Sequence, residues 1–278
     1  MHLQKRYRHV IPKNLKKYDY RENLIVDKDN PILIQKAWRD RFSSESHWRA
    51  GYGGQAYLSK PNSEDALTWN VFRALQLSGE RGLKVISDVF KISRVDKMLF
   101  WGCDVEHHGE EQQLLNILIR TIDGKHQGTM TEPDLVIITG REVVFVECKL
   151  NQRGNTSPWK SKGKGAEKRM KTYAEEFPEI KNVQDWEVIY QLIRQYVFAK
   201  SLSKHLKKKP VVIPLINEKH REILSDYYLK VKHSPLNQKE VFRDFVTWQD
   251  LLRILSTSDM PNKGIISAKI KEALKYAR

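Results

Sequence analysis

Apolar residues recur at two different spacings along the chain, and the two spacings predict alternating helices and strands. An amphipathic helix is predicted over residues 63–78, where Ser63 is a candidate N-cap, two acids follow it, and apolar residues recur every three or four positions. The same helical spacing occurs over residues 110–122 and 186–202, and residues 83–92 are helical or mixed. Strand-like apolar runs occur over residues 97–101, 210–216 and 245–247, and a helix that ends near residue 255 follows the last of them. This interleaving predicts an α/β fold with a central mixed sheet flanked by helices.

Residues 134–150 carry a hairpin pattern. Two β-rich runs, 135–138 and 143–146, are separated by Thr139-Gly140-Arg141-Glu142. With a two-residue loop at Gly140-Arg141, Gly140 suits the first central position of a type II′ turn, and Thr139 pairs with Glu142. Asp134 then falls opposite Glu147. Because side chains alternate along a strand, Lys149 shares the face of Glu147, and Cys148 points to the other side.

Two acids that face each other about 5 Å apart at Cβ repel each other. The pattern therefore predicts that a cation binds between them. Mg²⁺ takes oxygen ligands, and Mn²⁺ is a plausible substitute; Asp134, Glu147 and the backbone carbonyl of Cys148 would supply them. Such an ion would activate water and polarise a phosphodiester, with Lys149 orienting the water or neutralising charge on the phosphate. The alternative is a turn-capping Asp134 and a Glu147–Lys149 charge pair that protects an exposed strand edge. The apolar flanks disfavour an exposed edge.

Composition narrows the class of partner. The chain has 278 residues, 40% of them hydrophobic, so it can bury a core, and its formal net charge of +15 attracts polyanions. Nucleic acid is the commonest such partner, and a solubilising surface charge is the alternative. The basic residues are spread along the chain, which disfavours a membrane surface.

Cysteine usage and hydropathy predict the compartment. The two cysteines, Cys103 and Cys148, form no CxxC pair, which argues against a zinc knuckle or a disulfide framework and favours a reducing compartment. No run of 18 apolar residues occurs, and the N-terminus lacks an apolar segment. We therefore expect a cytoplasmic protein. Residues 1–62, basic, aromatic and irregular, are interpreted as an N-terminal extension packed on a core domain of residues 63–278.

The order Pro133-Asp134, twelve residues, then Glu147-Cys148-Lys149 resembles the motif of the PD-(D/E)XK nuclease superfamily, which has the restriction-endonuclease-like fold. The resemblance implies a central mixed sheet flanked by helices, with the active site on the hairpin. It also implies that Asp134 and Glu147 are metal ligands and that Lys149 is the catalytic lysine.

The resemblance suggests further site residues. Members of the superfamily often have an acid near the metal on a preceding helix, which implies Glu64 as a further metal ligand, with Asp65, Glu110 and Glu111 as rivals. A helix-dipole role is the alternative for Glu64. Gln191 is similar to the glutamine on the helix after the hairpin. The spacing departs from Q-x-x-x-Y, because Tyr196 lies five residues after Gln191, and an ordinary exposed polar position is the alternative.

A basic segment follows the predicted catalytic strand, with Trp159 nearby. Its candidate phosphate-binding residues are Lys160, Lys162, Lys164, Lys168 and Arg169. A solvated flexible loop is the alternative.

These observations together predict a Mg²⁺-dependent DNA endonuclease of restriction or defence type. The alternatives are a structure-specific repair nuclease or junction resolvase, and a non-catalytic DNA-binding subunit of the same fold. DNA is preferred over RNA on the resemblance alone. Cutting both strands of a duplex needs two sites, so a homodimer is an attractive arrangement.

Overall fold

A mixed sheet with the strand order β2-β1-β3-β4-β5-β6 forms the centre of the described chain. The structure is a computed structural model, and it describes residues 20–33, 36, 58, 60–106, 109–123, 132–151, 157–161, 163–237 and 240–277. The strands are β1 Val95–Phe100, β2 Cys103–Asp104, β3 Leu135–Thr139, β4 Glu142–Lys149, β5 Lys209–Ile216 and β6 Val246–Thr247. Antiparallel pairing joins β2, β1, β3 and β4, and parallel pairing joins β4, β5 and β6.

Helices cover both faces of this sheet. They are α1 Glu64–Thr68, α2 Ala74–Leu77, α3 Gly79–Phe90, α4 Glu110–Ile122, α5 Lys164–Glu176, α6 Tyr190–Leu206, α7 Arg221–Lys232, α8 Trp248–Thr257 and α9 Lys263–Tyr276. One buried apolar cluster joins one sheet face to α1–α3, α8 and α9, and a second joins the other face to α4–α7. The central strands are apolar on both sides because both of their faces are covered. The predicted α/β architecture with a mixed sheet is confirmed.

The helix predicted over 63–78 is present but is not one regular α-helix. Ser63 is its N-cap, and the Ser63 hydroxyl accepts the N–H of Ala66. Between α1 and α2 the chain widens into a π-helical segment, Trp69–Arg73, whose residues are all buried. Apolar spacing does not register such a bulge, because it leaves the buried face in place.

The other predicted elements differ mainly at their ends. The helix over 110–122 has the predicted bounds. The helix predicted from 186 begins with a 3₁₀ turn, Trp186–Ile189, and continues as α6 to Leu206. Helices α7 and α9 were not predicted, since their basic sequences have a weak apolar stripe.

The hairpin has the predicted register and a different turn. Leu135 lies opposite Val146, and Ile138 lies opposite Val143, which leaves Gly140 and Arg141 as the loop. The type II′ prediction is wrong, because Gly140 does not adopt the positive φ that this turn needs. The Thr139 hydroxyl closes the turn instead, by accepting the N–H groups of Arg141 and Glu142.

The described part of the first 62 residues packs on the π-helical segment. The side chain of Asn70 donates to the Asn23 carbonyl and accepts the N–H of Ile25, each at 2.8 Å. Leu24 and Leu33 are fully buried in the apolar cluster. The boundary at residue 62 stays a prediction. Among the described helices, none is both long and apolar enough to cross a membrane.

Candidate active site

The open ends of β3 and β4 bring the predicted acids together. Asp134 precedes β3, and its Oδ2 accepts the backbone N–H of Cys148 at 2.8 Å. Its carbonyl accepts the N–H of Trp101 at 3.3 Å, which continues the β1–β3 ladder by one residue. The hairpin therefore places the Asp134 carboxylate beside the end of β4, on the edge that β3 no longer covers.

The backbone of Cys148 offers a carbonyl oxygen at the same edge. The N–H and C=O of one residue in a strand point to the same side, and the Cys148 N–H points to Asp134. Continuing the hairpin register puts Pro133 opposite Cys148. Proline has no N–H to donate, so the hydrogen-bond ladder ends at the Pro-Asp pair and the Cys148 carbonyl has no donor on the residue opposite it.

Glu147 and Lys149 lie on the face of β4 that meets α6. Only 3% of the Glu147 side chain is exposed, and its Oε1 is 2.9 Å from the Lys149 ammonium. Its Oε2 accepts a hydrogen bond from the side-chain amide of Gln195, which is fully buried in α6. Both oxygens of this carboxylate are thus held in a fixed orientation.

Glu64, at the start of α1, reaches the same strand end from the other helical layer. Its Oε1 accepts the N–H groups of Leu150 and Asn151 at 2.9 and 3.1 Å, and its Oε2 is 3.9 Å from the Lys149 ammonium. The Ser63 cap fixes the start of the helix, so Glu64 projects from its first position toward β4.

Two of the three rival acids have other partners, and the third is exposed. Asp65 accepts the indole N–H of Trp101 at 2.7 Å. Glu111 pairs with Lys97 at 2.7 Å, and Glu110 is exposed in the first turn of α4. Of the four candidates, Glu64 is the acid whose contacts the structure places against Lys149.

The protonation behaviour of the site follows from burial and close charges. Burial and the negative charge of Glu147 raise the pKa of Asp134 well above its usual value. Burial alone would lower the pKa of Lys149, but Glu147, Glu64 and Asp134 outweigh it and raise that pKa above the usual value. Lys149 is therefore held as a cation among three carboxylates.

The donor set fits a hard divalent ion that keeps part of its water. Within the described ranges, no group of three or more His, Cys, Asp and Glu side chains forms a ready metal cage. Asp134, Glu147 and the Cys148 carbonyl supply oxygens at this strand end. Glu64 adds a nearby carboxylate, whose Oε1 accepts two backbone N–H groups and whose Oε2 faces Lys149. Mg²⁺ commonly binds through one or two carboxylates together with waters and substrate phosphates. Two carboxylates and one carbonyl match that preference.

Comparison with known families gives an assignment over nearly the whole length. The family model described as "Restriction Endonuclease associating with ARP" matches residues 3–275. The chain belongs to this family. Comparison with curated proteins and with solved structures gave no significant match.

In this family member, the glutamine that donates to Glu147 is Gln195, whereas the sequence pointed to Gln191. Gln191 lies one turn earlier on α6, its backbone N–H bonds the Trp159 carbonyl, and its side-chain oxygen is buried without a hydrogen-bond partner. The alternative interpretation, that Gln191 is an ordinary exposed polar residue, is therefore also wrong. The pair has i, i+4 spacing, so both side chains lie on one helix face, and the register of α6 against β4 selects Gln195.

The basic segment divides into exposed lysines and one internal cation. Lys164 and Lys168 are exposed on α5, Lys160 is partly exposed, and Lys162 lies outside the described residues. Arg169 is 13% exposed and its Nε lies 3.6 Å from the buried carboxylate of Asp123, so its guanidinium is turned to the protein. Trp159 is fully buried beneath this segment.

Proposed function

We propose that this chain is a Mg²⁺-dependent nuclease that hydrolyses DNA phosphodiester bonds, and that it is an endonuclease of restriction or defence type. The observation that carries the proposal is the meeting of Asp134, Glu147 and Lys149 at the uncovered end of the hairpin. The family assignment supports a nuclease independently of that geometry.

Asp134, Glu147 and the Cys148 carbonyl would hold the ion, with Glu64 nearby. When bound, Mg²⁺, or Mn²⁺ in its place, supplies Lewis-acid chemistry that polarises a phosphoryl oxygen and makes water more acidic. The other roles in catalysis belong to side chains of the protein. Lys149, held cationic, neutralises charge that develops on the phosphate and orients the attacking water. Gln195 fixes the carboxylate of Glu147, and Glu64 ties the chain after β4 to α1.

The charge pattern of α5 favours a polyanionic substrate. Lys164 and Lys168 are four residues apart on an exposed face, and Lys164 occupies the first position of the helix. Like charges at this spacing destabilise a helix, and a cation at the helix N-terminus opposes its dipole. A phosphate backbone would relieve both costs, so the exposed lysines are proposed as DNA contacts, together with Lys160.

Purified full-length protein tests the chemistry. It is incubated with supercoiled plasmid, linear duplex and four-way junctions, with Mg²⁺, Mn²⁺ or a chelator. We expect cleavage with either ion and none with the chelator. Lys149→Met and Glu147→Gln should each lower the rate at least about 100-fold, since the first removes the cation proposed to act on the phosphate and the second removes a proposed metal ligand. Defined linear fragments would indicate sequence-specific cutting, whereas cleavage confined to junctions would replace the restriction assignment with junction resolution.

Two control variants separate the active site from general effects of charge. Lys209→Met and Glu142→Gln change the same residue types at the opposite end of β4 and β5, and they should cleave at the wild-type rate. Activity that survives both the chelator and Lys149→Met would refute the proposal. If wild type and every variant bind DNA in a metal-dependent way and none of them cleaves it, the chain is a non-catalytic subunit.

Salt dependence tests the proposed DNA contacts. Lys164→Ala and Lys168→Ala should each reduce the slope of log Kd against log salt by about one. Lys271→Ala, an exposed lysine of α9, is the matched control and should leave the slope unchanged. Equal slopes in all four proteins would remove α5 from the DNA interface.

A further inference from the structure

The turn between β1 and β2 holds a tryptophan in a conformation that tryptophan rarely adopts. Phe100 pairs with Cys103, so the loop consists of Trp101 and Gly102, and their φ angles are +51° and +79°. A two-residue hairpin loop with positive φ at both positions favours Asn, Asp or Gly. A bulky side chain there is sterically disfavoured, and such strain is retained where the surrounding contacts require it.

The contacts of Trp101 lead to the active site. Its backbone N–H donates to the Asp134 carbonyl at 3.3 Å, and its indole N–H donates to Asp65 Oδ1 at 2.7 Å. The indole ring lies parallel to Trp69, with centroids 5.7 Å apart and planes 6° apart, and only 4% of the residue is exposed. The strained turn therefore joins the first helical turn of α1 to the backbone of a predicted metal ligand.

A lysine from the N-terminal extension extends this connection. Lys36 Nζ lies 3.3 Å from Asp65 Oδ2 and 3.5 Å from a carboxylate oxygen of Glu132, two residues before Asp134. The same ammonium lies 5.3 Å from the centroid of the Trp101 ring, within cation–π range. Its side chain is 11% exposed, so this ion pair is largely shielded from solvent.

We propose that Trp101 and Asp65 are positioning residues for Asp134, and that Lys36 couples the N-terminal extension to the same network. The inference rests on the proposed function. Asp65 holds the indole, the indole holds the strained turn, and the turn holds the Asp134 backbone so that its carboxylate faces the Cys148 N–H. None of the three touches the reacting atoms; they act through Asp134.

Asp65 could also affect the site by binding the metal itself, and an asparagine variant separates the two roles. Asn keeps an oxygen that accepts the indole N–H but loses the negative charge. A positioning role therefore survives Asp65→Asn and fails in Asp65→Ala. A ligand role weakens in both variants.

The measurement is the Mn²⁺ dissociation constant of the full-length protein, obtained by titration calorimetry without DNA. Trp101→Phe keeps an aromatic ring and removes the indole N–H; it and Asp65→Ala should each weaken Mn²⁺ binding by about 10- to 100-fold, the range for partners that orient metal ligands. Asp65→Asn should stay close to wild type. The double variant Asp65→Ala/Trp101→Phe should be no weaker than the worse single variant, since both changes break one connection.

Trp248→Phe is the matched control, because Trp248 is a fully buried tryptophan whose indole N–H has no hydrogen-bond partner. It should bind Mn²⁺ like wild type, and melting in chelator verifies that every variant is folded. Unchanged Mn²⁺ affinity in Trp101→Phe would overturn this inference and leave the proposed function standing. Equal weakening by Asp65→Asn and Asp65→Ala would overturn the positioning role in favour of ligation. No Mn²⁺ binding by wild type would overturn the proposed function, and this inference with it.

Discussion

Lys149 should be more important for the stability of the metal-free protein than the acid it pairs with. Its ammonium lies 2.9 Å from Glu147 and 3.9 Å from Glu64, and Asp134 also raises its pKa. Lys149→Met keeps a side chain of similar length and leaves the three carboxylates without this cation. Glu147→Gln keeps the shape and leaves Lys149 with two acids.

The distances give the size of the effect. At an effective dielectric constant of about 20, charges separated by 2.9 and 3.9 Å attract by about 6 and 4 kcal/mol. Desolvation offsets much of that attraction, and removing one member of a buried pair typically costs about 3–5 kcal/mol. We expect that loss for Lys149→Met. For Glu147→Gln we expect a smaller loss than for Lys149→Met, because relief of the repulsion with Asp134 offsets part of the lost ion pair.

Thermal and urea unfolding in chelator near neutral pH measure both variants. For a chain of this size, about 1 kcal/mol shifts Tm by about 2–4 °C, so Lys149→Met should melt roughly 6–20 °C below wild type. The double variant Glu147→Gln/Lys149→Met should recover part of the loss, since it removes one of the uncompensated charges. Equal Tm values for wild type and Lys149→Met, or a double variant as unstable as the sum of the singles, would refute this electrostatic reasoning.

Four further substitutions probe other parts of the structure. Gln195→Leu removes the donor to Glu147 and should lower cleavage about 10- to 100-fold, measured on plasmid with melting as the control for folding. Gly82→Ala would put a methyl group 1.9 Å from a backbone carbonyl oxygen of α2, so it should lower the free energy of unfolding by at least about 1–3 kcal/mol. Gly264 has open space around it in α9, so Gly264→Ala should raise the free energy of unfolding by about 0.5–1 kcal/mol. Urea unfolding measures both variants. Although burial raises the pKa of Glu179, hydrogen bonds from a tyrosine and a lysine lower it overall, below its usual value near 4.5. Folded stability should therefore fall as pH decreases from about the usual pKa through the lowered one, and Glu179→Gln should flatten that decline.

The sequence predicted the parts of the site that depend on a single hairpin. A two-residue loop and the period of two along a strand are enough to place Asp134 beside the end of β4 and Lys149 on the face of Glu147. The predicted turn type was wrong, but the predicted register was not affected. Thr139 closes a loop of the same length as the type II′ turn would have had. Loop length, not turn type, sets the register.

The parts that sequence missed depend on contacts between distant segments. Trp101 carried no pattern of its own, since it ends an apolar run and its indole partner lies 36 residues earlier. The π-helical segment after α1 was invisible for a related reason: the buried face continues through it. A tryptophan directly before a glycine, at the end of a predicted strand, was the available signal for a strained two-residue turn.

Arg169 shows that charge in a basic segment does not by itself indicate exposure. It shares α5 with Lys164 and Lys168 but turns to the buried carboxylate of Asp123, which also accepts the hydroxyl of Tyr173. The helix period explains the division, because Arg169 is next to the buried Met170, whereas both lysines lie on the opposite face. The same periodicity that predicts a helix therefore also predicts which of its cations can reach a phosphate.

The choice between Gln191 and Gln195 marks where periodicity stops being informative. Both residues lie on one face of α6, four residues or about 6 Å apart along the axis. Which of them meets Glu147 depends on how far α6 slides along β4, and that is fixed by the 3₁₀ turn before the helix and by the bond from the Gln191 N–H to Trp159. A displacement of α6 by one turn would exchange the two amides. The Trp159 segment thus contributes to the site through the position of α6, without contacting the acids.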